Sequence, residues 1–180
     1  MAGPATRSRF VVPLIVALVV IGVTWGSGLA AGVADVAPID VAPGVTVRAP
    51  SGWSASAAAL PSPWRGVRLT RGPDAITAAG AQGVAGSPVD VLDAYARQVI
   101  GAGIRSPVFG EVGTLSLPSG RQAATVGYLG TSPNGTPVEG VAIALLGGPG
   151  GVVVDAVAPK GDLGAIADDL RAVLASAEVA

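Results

Sequence analysis

Asp90 and Asp93 stand three positions apart, and two carboxylates in one helical turn are the raw material of general acid–base chemistry. The start of a helix also favours acids through its exposed amides and its dipole, and that use needs no substrate. Arg65, Arg68 and Arg71 carry guanidinium forks that match phosphate or carboxylate. On a strand Arg68 points away from the other two, so the three do not converge on one anion. Gly147 to Gly151 has the glycine density of a phosphate cradle. It lacks the GxxxxGK[ST] spacing and runs into apolar Val152 to Val154 rather than a helix, so it reads as a hairpin turn. Asn134-Gly135-Thr136 fits the glycosylation triplet, but Pro133 and Pro137 on either side make it a turn. Asp168, Asp169 and Arg171 read as the solvated side of a helix. Trp53 and Trp64 flank an Ala/Ser/Pro segment, and because Trp is favoured in binding hot spots the two mark a candidate interaction surface. Core volume is the competing use, and the stronger one, in a chain with few other large side chains.

The chain holds no cysteine and no histidine. The first absence removes disulfides, thiolate ligands and thiol nucleophiles, and with them the acylated cysteine of a bacterial lipoprotein. The second removes the imidazole ligand and the Ser/His/Asp triad. An enzyme would have to work with Asp, Glu, Ser, Tyr or Lys160 alone. No catalytic residue, cofactor-binding residue or metal ligand is assigned, and the expectation is a non-catalytic protein.

Such groups need elements to hold them. Gly44 to Ala49 alternates apolar and polar positions as a half-buried strand does. Pro50-Ser51-Gly52-Trp53 interrupts it, and Ser54 to Pro63 reads as a small-residue loop or weak helical turn. Gly66 to Arg71 and Ala75 to Ala81 follow as strands. Ser87-Pro88-Val89-Asp90 opens a helix, with Ser87 as N-cap, Pro88 in the first turn and Asp90 within reach of the exposed amides. Leu92, Tyr95, Ala96 and Val99 recur at helical spacing until Gly101 and Gly103. Val108 to Leu117, Arg121 to Gly130, Val138 to Leu146 and Gly151 to Val157 are strands separated by Pro/Gly turns, read as successive antiparallel hairpins. A last helix begins at Gly161-Asp162, with Leu163, Ile166, Leu170, Val173 and Leu174 along one stripe. Strands, helix, strands, helix with short connections predict an α+β fold, an antiparallel β-sheet with packed helices.

The run Gly44-Val-Thr-Val-Arg-Ala-Pro-Ser-Gly-Trp53, then a strand, a Ser-Pro-capped helix, a meander and a C-terminal helix, resembles the Mog1/PsbP/LpqN-like superfamily over roughly residues 44 to 177. Ten of the eleven basic residues are arginine, and with abundant Ala, Gly and Val the composition resembles that of GC-rich actinobacterial proteins. The resemblance implies a layered sandwich serving as an accessory or binding module attached to a larger assembly, and it transfers no functional residue.

Phe10 to Ala34 carries no ionisable side chain and follows Arg7 and Arg9, with Asp35 and Asp40 beyond it. About 20 apolar residues cross a bilayer core, and the charge bias keeps the N-terminus inside. The expected organisation is a cytoplasmic N-terminus (1–9), a transmembrane helix (10–34), a linker (35–43) and an extracytoplasmic α+β domain (44–180). A cleaved signal peptide is the alternative, with small residues at Gly28/Ala30 and Gly32/Ala34, and would give a secreted protein. Nine basic and twelve acidic side chains follow residue 34, which argues against a nucleic-acid partner. The leading expectation is a single-pass accessory or interaction module of the cell envelope, meeting membrane lipid through Phe10 to Ala34 and an envelope protein through its domain. The alternative is a binder of a small apolar or lipid-like ligand between sheet and helix.

Overall fold

The computed structural model describes residues 37–84, 86–117, 120–147 and 150–179. The expected transmembrane segment, Phe10 to Ala34, lies outside the described residues, and among those described no helix is long and apolar enough to cross a membrane.

Eleven strands are present among them: β1 (Ile39–Ala42), β2 (Val45–Val47), β3 (Ser54–Ala57), β4 (Trp64–Arg71), β5 (Asp74–Gln82), β6 (Arg105–Phe109), β7 (Gly113–Ser116), β8 (Gln122–Thr131), β9 (Pro137–Gly147), β10 (Gly150–Pro159) and β11 (Glu178–Val179). Eight of them form one sheet in the order β3-β4-β5-β10-β9-β8-β6, with β7 also on β8; β1-β2-β11 form a second. Every pairing is antiparallel.

Val152 to Ala158 is apolar apart from one acid, a pattern that demands cover on both faces. Strand β10 accordingly takes the centre, between β5 and β9. On one face Val67, Leu69, Ile76, Val152 and Val154 pack against Val41, Val45 and Val47 of the small sheet and against Ile166, Leu170, Val173 and Leu174 of the C-terminal helical segment. On the other, Ala79, Ala81, Val126, Ala144 and Val153 meet Val91, Leu92, Tyr95 and Ile100. The result is a three-layer α+β sandwich, and the expected antiparallel sheet with packed helices is what the residues build.

The first helix starts where the sequence says. Helix α1 (Pro88–Tyr95) is capped by Ser87, whose hydroxyl accepts from the Asp90 amide while the Asp90 carboxylate accepts from the Ser87 amide at 2.7 Å, a reciprocal capping box. A π-helical turn (Ala96–Ile100) and a short α2 (Gly101–Gly103) extend it to the glycines. The second helical segment is a 3-10 turn (Leu163–Ile166) followed by α3 (Ala167–Ser176). Asp162 precedes the turn, but its side chain makes no capping bond.

Four expectations change. Ser54 to Pro63 is not wholly loop: Ser54–Ala57 is β3, because a register-matched ladder with β4 outweighs the low strand preference of Ser and Ala. Val108 to Leu117 is two strands, β6 and β7, separated by a break at Gly110 to Val112. Within the stretch read as a linker, Ile39–Ala42 is β1, which buries Val41 and turns back onto β2 through Gly44 at φ 74°. The tail adds β11 against β2.

Candidate functional site

Pro50 to Trp53 is a hydrogen-bonded turn, the Trp53 amide donating to the Pro50 carbonyl at 3.2 Å, with Gly52 at φ 80° in the position where a type II turn needs a residue free of Cβ strain. The turn drives Trp53 into the core on the α3 side, where it is 8 % exposed. The Arg71 guanidinium lies 4.8 Å over its ring and also bonds Asp169 of α3 at 2.8 Å. Trp64 is 2 % exposed on the opposite side, donating from Nε1 to Gln98 at 2.9 Å and meeting Tyr95 edge-on at 5.0 Å. The two indoles therefore sit on opposite faces of the sheet. As they stand they present no shared contact surface; they fill space beneath different helices. Two buried atoms near this turn, Trp53 Nε1 and Asp74 Oδ1, have no hydrogen-bond partner among the described residues.

The remaining candidates stay apart. Arg65 and Arg68 are exposed on opposite faces of β4, and Arg71 is engaged as described. Asp90 belongs to the cap, where hydrogen bonds from the Ser87 amide and then its hydroxyl hold the carboxyl below its ordinary range; Asp93 pairs with Arg97 one turn on. Asp168 pairs with Arg171 on the exposed side of α3. Gly147 and Gly150 face each other as the closing pair of the β9–β10 hairpin, so the glycine-rich segment leads into a strand; residues 148 and 149 lie outside the description. Asn134 sits in the Ser132–Thr136 turn, its side-chain oxygen accepting from the Thr136 amide at 3.2 Å.

One cluster escaped the sequence reading. Asp155 on β10 points into the α1-side core, fully buried, and both of the chain's tyrosines reach it. Tyr128 of β8 donates to Oδ1 at 2.8 Å and Tyr95 of α1 donates to Oδ2 at 3.3 Å, so Tyr128 makes the better bond. Burial raises the carboxyl from its ordinary 3.8 to about 6, against the opposing pull of the two phenols and of Arg68. The same burial, with the Asp155 charge beside them, pushes both phenols well above 10. Gly140 makes the approach possible: a Cβ there would stand 2.3 Å from Tyr128 Cζ and 2.8 Å from the Ala156 carbonyl, so the ring crosses β9 where that strand has no side chain. The signal lay in the sequence as a lone acid in an apolar run, in a chain with only two tyrosines.

Chemically the cluster is a carboxyl with two poor proton donors, closed off by α1. It ties the helix to the sheet. A depression lined by Ala42, Pro43, Val45, Ala81, Gln82, Gly147, Gly150 and Gly151 holds about 10 Å³, little more than one water. Among the described residues no group of three or more acids stands together as a metal would require.

No protein-family model and no curated protein matches the chain. Solved structures do. Cyanobacterial PsbP (CyanoP) from Synechocystis sp. PCC 6803 superposes with a TM-score of 0.60 at 15 % identity, covering 86 % of this chain and 98 % of that one. LpqN, described as involved in cell envelope biogenesis of Mycobacterium tuberculosis, gives 0.48 at 17 % identity over 79 % of this chain and 89 % of that one. The fold expected from the Pro-Ser-Gly-Trp53 run and the element order is thus present: the chain has the PsbP-like fold.

Proposed function

We propose that this chain is a non-catalytic accessory module of the cell envelope, held at the membrane by Phe10 to Ala34 with its α+β domain on the outer side. The observation that carries the reading is the enclosure of Asp155. The carboxyl most displaced from its ordinary range among the described residues is sealed under α1 by two phenols, where it anchors a helix to the sheet. Asp90 is engaged in a helix cap, and Asp93, Asp168 and Asp169 in ion pairs with arginine. A sheet covered on one face by α1 and on the other by the small sheet with α3 leaves its edges and its loops for recognition, which is what an accessory module needs. The apolar segment after Arg7 and Arg9 supports the placement.

Two measurements on cells test placement. Intact-mass analysis is expected to find the full-length chain in the membrane pellet, whereas a species lacking the first 30 or 34 residues in the medium would make the segment a leader and the protein a secreted one. Protease added to whole cells is expected to remove the domain. Protection in whole cells with loss after lysis would invert the orientation.

A further inference from the structure

The geometry points to the outer edge of β3 as a strand-addition site for an extended, acidic segment of a partner protein. This deepens the accessory reading above and rests on it.

Among the described residues, strand β3 ends the eight-stranded sheet. The Ala58 amide donates to the Gly66 carbonyl at 2.9 Å, which fixes the alternation of the β3–β4 ladder. Ser54, Ser56 and Ala58 turn their backbone groups toward β4, and Ala55 and Ala57 turn theirs outward. All four β3 side chains are exposed, and none is large or charged. The register from Ser54↔Thr70 to Ala57↔Val67 runs without a bulge.

The opposite edge shows what a guarded strand looks like. There β6 carries exposed Arg105, Ser106 at φ 50°, Pro107 and a register shift between Arg105 and Val108, each a device that discourages another strand from pairing. Strand β3 has none of these. An open edge flanked by small side chains is the docking geometry of strand addition, in which backbone bonds bind and neighbouring side chains select.

Selection comes from β4. Arg68 lies directly across from Ser56, and Arg65 lies beside the end of the ladder on the other face, both exposed. Ser and Ala are too short to screen them, so a strand added next to β3, about 10 Å from β4, lies within reach of both guanidinium groups. Residues three positions apart on that strand point to opposite faces and match the spacing of Arg65 and Arg68, so two acids at that spacing face one guanidinium each. Pairing of two copies through β3 would set two Arg68 side chains on the same face of the junction, which disfavours a second copy as the occupant.

The test uses the full chain in detergent and two blocked peptides, one with two glutamates three positions apart among valine and threonine residues, the other with lysines in their place. Amide hydrogen exchange at Ala55 and Ala57 is expected to slow with the glutamate peptide. Exchanging two exposed ion pairs for two repulsions is expected to separate the peptides about tenfold in affinity. Ala55→Pro, read at Ala57, removes an outward amide without touching the ladder and is expected to abolish the protection. Arg65→Glu with Arg68→Glu is expected to reverse the preference, and keeps the test alive should the proline variant unfold. Equal protection by both peptides, protection that survives in Ala55→Pro, or no protection at all would overturn the proposal. So would concentration-dependent dimerisation that protects Ala55 and Ala57 without peptide. If an envelope partner is still retained by the Ala55→Pro chain, the strand site falls while the accessory reading stands.

Discussion

Asp155 is the carboxyl whose environment departs furthest from that of a free side chain, and its consequences are the easiest to measure. Its carboxyl titrates near 6 when folded and near 3.8 when exposed, so between those values the folded protein holds the proton more tightly. The stabilisation is fully present below the lower value and is lost as the pH rises through the upper one. A displacement of about two units corresponds to roughly 3 kcal/mol across that window. Denaturant midpoints are therefore expected to fall from about pH 4 to pH 7 on account of this group, and Asp155→Asn is expected to flatten that dependence. An unchanged profile in the variant would place the proton elsewhere. The two phenols are not equal either. Tyr128→Phe is expected to cost about 1.5–3 kcal/mol, the range for a hydrogen bond to a charged group, and Tyr95→Phe less, since its bond is longer. Urea unfolding of both variants at pH 7 reads the difference directly.

At the scale of elements, the sequence spoke clearly wherever local chemistry decided the outcome. Ser87, Pro88 and Asp90 announce a helix start, and the structure has the reciprocal cap there; Ser87→Ala is expected to cost about 1 kcal/mol in thermal or chemical unfolding. The Pro-Ser-Gly-Trp53 turn and the hairpin at Gly147 were legible for the same reason. Elements that depend on distant partners were not. Strand β3 consists of Ser and Ala, which do not favour strands, and exists because β4 offers a matching ladder. Strands β1 and β11 close on β2 from opposite ends of the described chain. The Tyr95–Asp155–Tyr128 cluster joins three elements through a glycine whose role appears only when β8 and β9 are aligned. Gly140→Ala is expected to cost about 1–3 kcal/mol by forcing Tyr128 off Asp155, seen in the denaturant midpoint and in exposure of the Tyr128 ring.

For the whole molecule, the three layers explain why the candidate groups of the sequence stay apart. Both faces of the large sheet are covered, by α1 on one side and by the small sheet with α3 on the other. The two tryptophans that mark a possible contact surface in the sequence are consumed by those interfaces, one on each side. What is left for a partner is the rim, and within it the unguarded edge at β3. The architecture was foreseeable from the order of elements and the Trp53 turn. The use of its edge was not, because openness of a strand is a property of what fails to pair with it. The central claim is that this domain works by holding another envelope protein. Its most direct test is the native size of the full-length chain from mildly solubilised membranes, measured after crosslinking on intact cells. A discrete complex heavier than the chain and its detergent, containing a second protein, is the expected result; a chain recovered always alone, at the size of its own monomer, would contradict the account.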